Sequence, residues 1–257
     1  MDILHSVIIG VIEGITEFLP ISSTAHMVLA ARVMAIAQTD FVKSFEIIIQ
    51  FGAILSVVVL YWRRFLVDME SLKRVLAAFV PTAVLGFILY KVIKTYLIAN
   101  ETIIVWTLLI GGVVLILFEL FHREKETAHE EISTIPYAKC FAIGLFQSLA
   151  MFPGVSRSAA TIIGGLSLNL KRQTIVEFSF LLAVPTMLAA SVLDLAKSGS
   201  SFTADQFSVL AVGFVISFVV ALLSIKFLIN YIKKHTFIPF GVYRIVIALV
   251  FMAGMLG

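Results

Sequence analysis

Two short polar motifs interrupt otherwise hydrophobic stretches of this chain, and they hold most of the residue types that could do chemistry. The first motif runs over residues 13–26 and reads EGITEFLPISSTAH. The second runs over residues 153–161 and reads PGVSRSAAT. Carboxylates, hydroxyls, an imidazole and a guanidinium are the groups that bind phosphate and move protons. Both motifs are therefore candidate parts of a site.

The first motif carries two carboxylates on one helical face. Glu13 and Glu17 are four residues apart, which places them one above the other on a helix. Two such groups at membrane depth are unfavourable without a partner. A divalent cation suits them, because Mg²⁺ or Ca²⁺ takes carboxylate oxygens and Mg²⁺ readily shares its shell with substrate phosphates. Glu13 and Glu17 are thus candidate metal ligands and catalytic groups; the alternative is a pair at a wet interface, neutralised by an arginine.

A proline and three hydroxyl residues follow the carboxylates. Pro20 ends one helical segment, and Ser22, Ser23 or Thr24 can cap the next. A helix N-terminus is a ready anion site. His26 lies over the same turn, so Ser22, Ser23 or His26 could attack phosphorus or move a proton, and a metal-bound water could attack instead. The alternatives are simple capping for the serines and a satisfied interior histidine for His26.

The second motif adds an arginine to a similar turn. Arg157 offers a planar fork that matches phosphate oxygens. Ser156, Ser158 and Thr161 could add hydrogen bonds to the same phosphate, as Ser23 could from the first motif. The alternatives are a salt bridge from Arg157 to the carboxylates of the first motif, and hydroxyls that cap a helix or bond back to its preceding turn.

The composition indicates the elements that must position these groups. Of 257 residues, 60% are apolar and 14% are charged, too few charges for a water-soluble surface. The hydrophobic runs do not alternate, so we predict an all-α polytopic membrane protein with one domain over residues 1–257. Six segments are long enough to cross a bilayer: 45–62, 75–93, 103–121, 175–196, 207–232 and 239–256.

Two further hydrophobic regions, residues 4–36 and 137–170, are broken by the motifs. The pieces on either side of each break are short for a span and are typical of re-entrant half-helices. Matching features recur at nearly constant offsets of 131 to 134 residues, namely Gly10 and Gly144, Pro20 and Pro153, and Glu46 and Glu177. This predicts two repeat halves, approximately residues 1–121 and 137–257, with the site between them near the midplane.

The basic residues indicate the orientation, because connections rich in Lys and Arg stay in the cytoplasm. The rich connections hold Arg63, Arg64, Lys73, Arg74, Arg123, Lys125, Lys139, Lys171, Arg172, Lys233 and Lys234. Six crossings then put both termini outside. The first broken region enters from outside and the second from the cytoplasm, so the repeat is inverted.

Both motifs resemble those of the bacterial undecaprenyl-diphosphate phosphatase family, also known for bacitracin resistance. Residues 45–50, FEIIIQ, and the hydropathy profile are similar too, so the resemblance covers nearly the whole chain. Ala25 and Ala159 stand where glycine is expected. The resemblance implies hydrolysis of undecaprenyl diphosphate to the monophosphate, which recycles the lipid carrier for the cell wall. It also implies divalent-cation dependence, with glutamates binding metal or water and the Ser-Arg-Ser turn binding phosphate.

The same resemblance implies a multi-pass protein of the bacterial inner membrane, often a homodimer, with its site open to the outer face. We expect a polyprenyl diphosphate lipid and the membrane as partners, and no nucleic acid. The alternative from another class is a secondary transporter, because inverted repeats with broken helices are frequent there. A transporter would have a polar path to both faces and no turnover. A phosphatase that also moves its lipid across the bilayer is a third hypothesis.

Overall fold

The computed structural model describes residues 1–37, 39–93, 100–198 and 203–256, which form α-helices, two short 3₁₀ turns and no β-strand. The helices are α1 (Ile3–Thr16), α2 (Ser23–Val33), α3 (Asp40–Leu60), α4 (Trp62–Leu66), α5 (Met69–Val92), α6 (Glu101–Phe121), α7 (Tyr137–Ser148), α8 (Arg157–Ser167), α9 (Arg172–Ser198), α10 (Ala204–Tyr231) and α11 (Ile238–Leu256). The 3₁₀ turns are Ile132–Thr134 and Leu149–Met151. The all-α prediction is confirmed.

The two polar motifs break their helices as predicted. The first motif separates α1 from α2, and the second separates α7 from α8. Each of these helices has 11 to 14 residues, which at 1.5 Å per residue is about 16–21 Å and short of the ~30 Å hydrocarbon core. The chain therefore turns back at each motif, and the functional side chains lie at the two turns.

Five helices in the described residues are long and apolar enough to cross a membrane: α3, α5, α6, α9 and α10. The sixth predicted span, 239–256, forms α11, an apolar helix of 19 residues. Its 19 residues reach about 28 Å, close to the lower limit for a crossing. The prolines Pro81 and Pro185 lie inside α5 and α9 without ending them.

Each broken helix pair packs against a long helix from the other half of the chain. α1 packs on α10, and α7 packs on α5. A Cβ atom at Gly10 would lie 2.9 Å from the carbonyl oxygen of Gly213, and one at Gly144 would lie 2.0 Å from that of Ala78. These contacts occupy matching places in the predicted repeat and support it. The limits of the two halves, 1–121 and 137–257, stay a prediction.

The core surrounds the two turns. Its largest buried hydrophobic cluster includes Phe18 and Ile21 beside the first turn, and Ile162 and Phe180 from α8 and α9. The rings of Phe18 and Phe180 meet edge to face, with centroids 5.4 Å apart and an interplanar angle of 85°. Apolar packing thus presses the first motif against the second half of the chain.

Candidate active site

A serine in an unusual backbone conformation begins the second helix of each pair. Ser22 has φ 72° and Ser156 has φ 77°, the left-handed region that residues other than glycine rarely adopt. Their side chains accept hydrogen bonds from the backbone N–H groups of Ala25 and Ala159, at 3.4 and 3.2 Å. Both serines are therefore N-caps, as the capping alternative predicted. Such strained positions cost about 1–3 kcal/mol each and are concentrated at functional sites.

The two motifs meet at the carboxylate of Glu17. The hydroxyl of Ser23 donates to Oε2 at 2.6 Å, and Nη2 of Arg157 donates to Oε1 at 3.2 Å. Nη1 of Arg157 donates to the backbone carbonyl of Ser179 on α9 at 2.8 Å. The salt bridge considered as an alternative for Arg157 is thus present in the structure. It also brings a carboxylate, a hydroxyl and a guanidinium together between the halves.

Several buried polar atoms beside this contact have no hydrogen-bond partner in the structure. They are Oε1 and Oε2 of Glu13, Nε of Arg157 and Oγ of Ser179. Glu13 is fully buried. A buried polar group left unpaired costs about 1–3 kcal/mol, more when it is charged. Unpaired acceptors and donors side by side are what a site needs in order to bind a ligand that carries both signs of charge.

The residues present fit a metal site whose ligands come partly from a substrate better than a metal site whose ligands all come from the protein. Within the described ranges, no cluster of three or more His, Cys, Asp or Glu side chains could hold a metal ion. Glu13 and Glu17 offer two carboxylates, one of them with both oxygens unpaired. Mg²⁺ is commonly held by one or two carboxylates together with waters and substrate phosphates. The donor set therefore suits a cation that arrives with, or is completed by, a phosphorylated substrate.

The structure uses the hydroxyls of Ser158 and Thr161 in protein contacts. Ser158 donates to the backbone carbonyl of Phe18 at 2.8 Å and so links the second turn to the first. Thr161 donates to the carbonyl of Arg157 at 2.8 Å, the bond back to the preceding turn that was the alternative for it. Both side chains are fully buried. Their contribution to phosphate binding, like that of Ser156, stays a prediction.

His26 contacts the first turn and a residue of the last helix. Its Nδ1 lies 2.7 Å from the backbone carbonyl oxygen of Ser22, and its Nε2 lies 2.9 Å from the hydroxyl oxygen of Tyr243 on α11. The imidazole is half-buried. His26 thus belongs to the same turn as Ser23, as the spacing predicted, whereas its contact with Tyr243 was not foreseen.

Arg244 is the main residue that the sequence interpretation missed. It is fully buried, and its guanidinium donates to backbone carbonyls of both turns and of α6. The acceptors are Pro20 at 3.2 Å, Val155 at 2.9 Å, Gly154 at 2.9 Å, Thr107 at 3.3 Å and Leu108 at 3.3 Å. An arginine inside the apolar run 239–256 was the available signal, because ionisable residues at membrane depth are usually functional.

Comparison with known proteins gives consistent matches along the chain. Residues 6–250 match the family model described as bacitracin resistance protein BacA. The chain is 51% identical over 249 residues to the undecaprenyl-diphosphatase of Aquifex aeolicus (strain VF5), covering 97% of each chain. It is 51% identical to the undecaprenyl-diphosphatase of Sulfurihydrogenibium sp. (strain YO3AOP1) and 44% identical to that of Wolinella succinogenes, covering 98% of each chain in both cases.

Proposed function

Because the chain belongs to the bacitracin resistance protein BacA family, we propose that it is a membrane phosphatase that hydrolyses undecaprenyl diphosphate to undecaprenyl phosphate and inorganic phosphate. The reaction cleaves a phosphoanhydride bond and returns the lipid carrier for cell-wall synthesis. The long tail of undecaprenyl diphosphate is apolar, and its diphosphate headgroup is anionic. A substrate of this kind can reach a polar site that lies among membrane-spanning helices.

One observation carries the proposal most directly. The unpaired oxygens of Glu13 lie beside a site that also holds an unpaired Nε of Arg157. A diphosphate accompanied by a divalent cation offers partners to both, since its oxygens accept from the guanidinium and the cation binds carboxylates. Phosphoryl transfer needs chiefly positioning and neutralisation of charge.

The described side chains have different roles in the proposed reaction. Arg157 and the N-termini of α2 and α8 bind phosphate oxygens. Ser23, held at 2.6 Å from Glu17, is placed to pass its proton to that carboxylate. His26 takes up or returns a proton at the same turn. These roles are compatible with attack by Ser23 and also with attack by a water molecule that these groups activate.

We also propose a divalent cation, Mg²⁺ or Ca²⁺, as cofactor, with Glu13 and Glu17 as its protein ligands. A bound cation would neutralise charge on the diphosphate and polarise its phosphorus–oxygen bonds. The two carboxylates would then no longer repel each other across one helical face. This proposal is supported by the unpaired oxygens of Glu13.

Phosphate release from a C55 diphosphate, measured with purified full-length protein with and without EDTA, tests the function. Arg157→Ala and Glu17→Gln should each lower kcat/KM at least a hundredfold, because each removes a charge at the reacting group. Lys73→Ala, a change at an exposed ion pair with Glu70, serves as the control. Full activity in the Arg157 and Glu17 variants would refute the site. Absence of phosphate release by the parent would favour the transporter hypothesis.

The chain is a multi-pass membrane protein, and we further propose which membrane holds it and how it is oriented there. We place it in the bacterial inner membrane with the basic connections in the cytoplasm, both termini outside and the site open to the outer face. We also expect a homodimer, as the family resemblance implies. The molar mass of the protein in detergent, from size-exclusion chromatography with light scattering, tests the last point; a monomer at all concentrations would refute it.

A further inference from the structure

Tyr243 contacts the imidazole of His26 from a different helix. Its hydroxyl oxygen lies 2.9 Å from Nε2. The two ring planes differ by 4° and their centroids are 5.5 Å apart. The other ring nitrogen, Nδ1, lies 2.7 Å from the backbone carbonyl oxygen of Ser22. Each nitrogen of His26 therefore has one close partner, and the two partners determine where the proton of the ring sits.

The carbonyl oxygen of Ser22 can only accept a hydrogen bond, so Nδ1 of His26 carries a hydrogen. In a neutral imidazole the second nitrogen then has a lone pair. Nε2 thus accepts from the hydroxyl of Tyr243. The opposite tautomer would leave two lone pairs facing each other 2.7 Å apart. This assignment rests on the partners of the ring, because hydrogens are placed by the hydrogen-bond network.

A tyrosine hydroxyl suits both charge states of the ring that it touches. It donates to Nε2 while His26 is neutral. When Nε2 takes up a proton, the O–H bond turns and the same oxygen accepts from the new N–H. No heavy atom has to move. A phenylalanine in its place would remove the hydrogen-bond partner that Nε2 has in the described residues.

We propose that Tyr243 is a positioning residue for the hydrolysis. It holds Nε2 of His26 as the nitrogen that takes up a proton, and it stabilises the ring both before and after this proton uptake. This rests on the proposed function, in which His26 moves a proton at the turn that carries Ser23. A proton lost by Ser23 goes to Glu17, so the proton that Nε2 takes up comes from the water that attacks phosphorus. It leaves Nε2 for the phosphate product or for water, so His26 ends each cycle neutral.

The activity of Tyr243→Phe provides the first test. A matched control is Tyr231→Phe, because Tyr231 at the end of α10 also stacks on a histidine, His235, with centroids 4.5 Å apart. In the described part of the chain the hydroxyl of Tyr231 makes no hydrogen bond to that ring. We expect kcat to fall about tenfold in Tyr243→Phe, with KM within about twofold of the parent, since one hydrogen bond to a proton-transfer group is lost. The same kcat in both variants would overturn the inference.

The tautomer of His26 provides a second test that needs no activity. Nitrogen NMR of the full-length protein, labelled with ¹⁵N-histidine in detergent, distinguishes protonated from unprotonated ring nitrogens, and His26→Asn identifies the signal. We expect a protonated Nδ1 and an unprotonated Nε2 in the neutral ring, and a changed Nε2 signal in Tyr243→Phe. A protonated Nε2 beside a bare Nδ1 would overturn the inference. Failure of the proposed function is distinguishable, because it would appear as absent phosphate release by the parent.

Discussion

Ser22 and Ser23 are neighbouring hydroxyls that the fold puts to different uses. Ser22 caps α2 through its side-chain oxygen, in a left-handed conformation. Ser23, one residue later, points its hydroxyl at Glu17. A hydroxyl held against a carboxylate can lose its proton to it as it attacks phosphorus, whereas a capping oxygen is occupied by a backbone N–H. The spacing in the sequence left the two serines as equal candidates.

Removing each hydroxyl separately should therefore have different results. We expect Ser23→Ala to lower kcat at least a hundredfold, because it deletes the group bonded to Glu17. Ser22→Gly keeps a residue that adopts positive φ and tolerates the N-cap position, so activity should stay within about threefold of the parent. Phosphate release by both purified variants is the measurement, with the thermal unfolding midpoint as a check on folding. Equal losses in the two variants would contradict the assignment.

The contact between α5 and α7 depends on a glycine at their crossing. A Cβ at Gly144 would lie 2.0 Å from the carbonyl oxygen of Ala78 and 3.1 Å from a side-chain carbon of Pro81. Backbone atoms cannot move aside as a flexible side chain can. The helices would have to separate, which would shift α7 and the turn that follows it.

Gly144→Ala should consequently destabilise the protein by about 1–3 kcal/mol, the usual cost of overpacking. Gly86→Ala on α5 is the control, since the nearest atom to its added Cβ is the end of the Met151 side chain at 3.4 Å. The midpoint of thermal unfolding in detergent should fall clearly for Gly144→Ala and change little for Gly86→Ala. A lower midpoint for the control would show that the crossing is not what limits stability.

Arg244 joins the two turns as one structural unit. It donates to the carbonyls of Pro20 in the first turn and of Gly154 and Val155 in the second. A guanidinium can reach carbonyls on three segments because its donors form a rigid planar fork. An ammonium group on a flexible stem has fewer donors at a single point.

Arg244→Lys should lower both stability and activity although it keeps the charge, because several buried carbonyls lose their donor. We expect at least a tenfold loss of kcat and a reduced unfolding midpoint. Arg63→Lys, at an arginine that lies over Trp62 away from both turns, should preserve both quantities. Phosphate release and thermal unfolding of the two variants measure this. An active, stable Arg244→Lys would show that the charge alone holds the turns.

At the scale of the whole molecule, long-range ion pairs join ends of helices that the predicted orientation puts on the same side. Arg64 pairs with Glu177, Arg172 with Glu119 and Lys171 with Glu130, all at connections rich in basic residues. Arg32 pairs with Glu101 at the opposite ends. This agreement supports the topology.

Labelling of single cysteines decides which side is which. In a Cys140→Ser background, a cysteine introduced by Lys125→Cys should react with a membrane-impermeant maleimide only after the cells are opened, because the predicted orientation puts its basic connection in the cytoplasm. A cysteine introduced by Thr102→Cys, near the start of α6, should react in intact cells. The reverse labelling pattern would invert the orientation and place the site toward the cytoplasm.

The fold class, the two breaks and the residue types around them could be predicted from the amino-acid sequence. These follow from local properties: the length of apolar runs, prolines that end helices, and serines that cap them. α2 and α8 begin directly after capping serines as a result. The last predicted span forms α11, whose 19 residues are close to the minimum length for a crossing.

Which of these groups contact each other became evident from the three-dimensional packing. Arg157 reaches Glu17 across 140 residues of sequence, and Arg244 reaches Pro20 across 224. Tyr243 meets His26 across 217. Neither spacing nor hydropathy encodes such contacts, because they depend on how α11 and the two turns pack together in space. The two polar motifs indicated a phosphate site, and the packing of distant helices determined its partners.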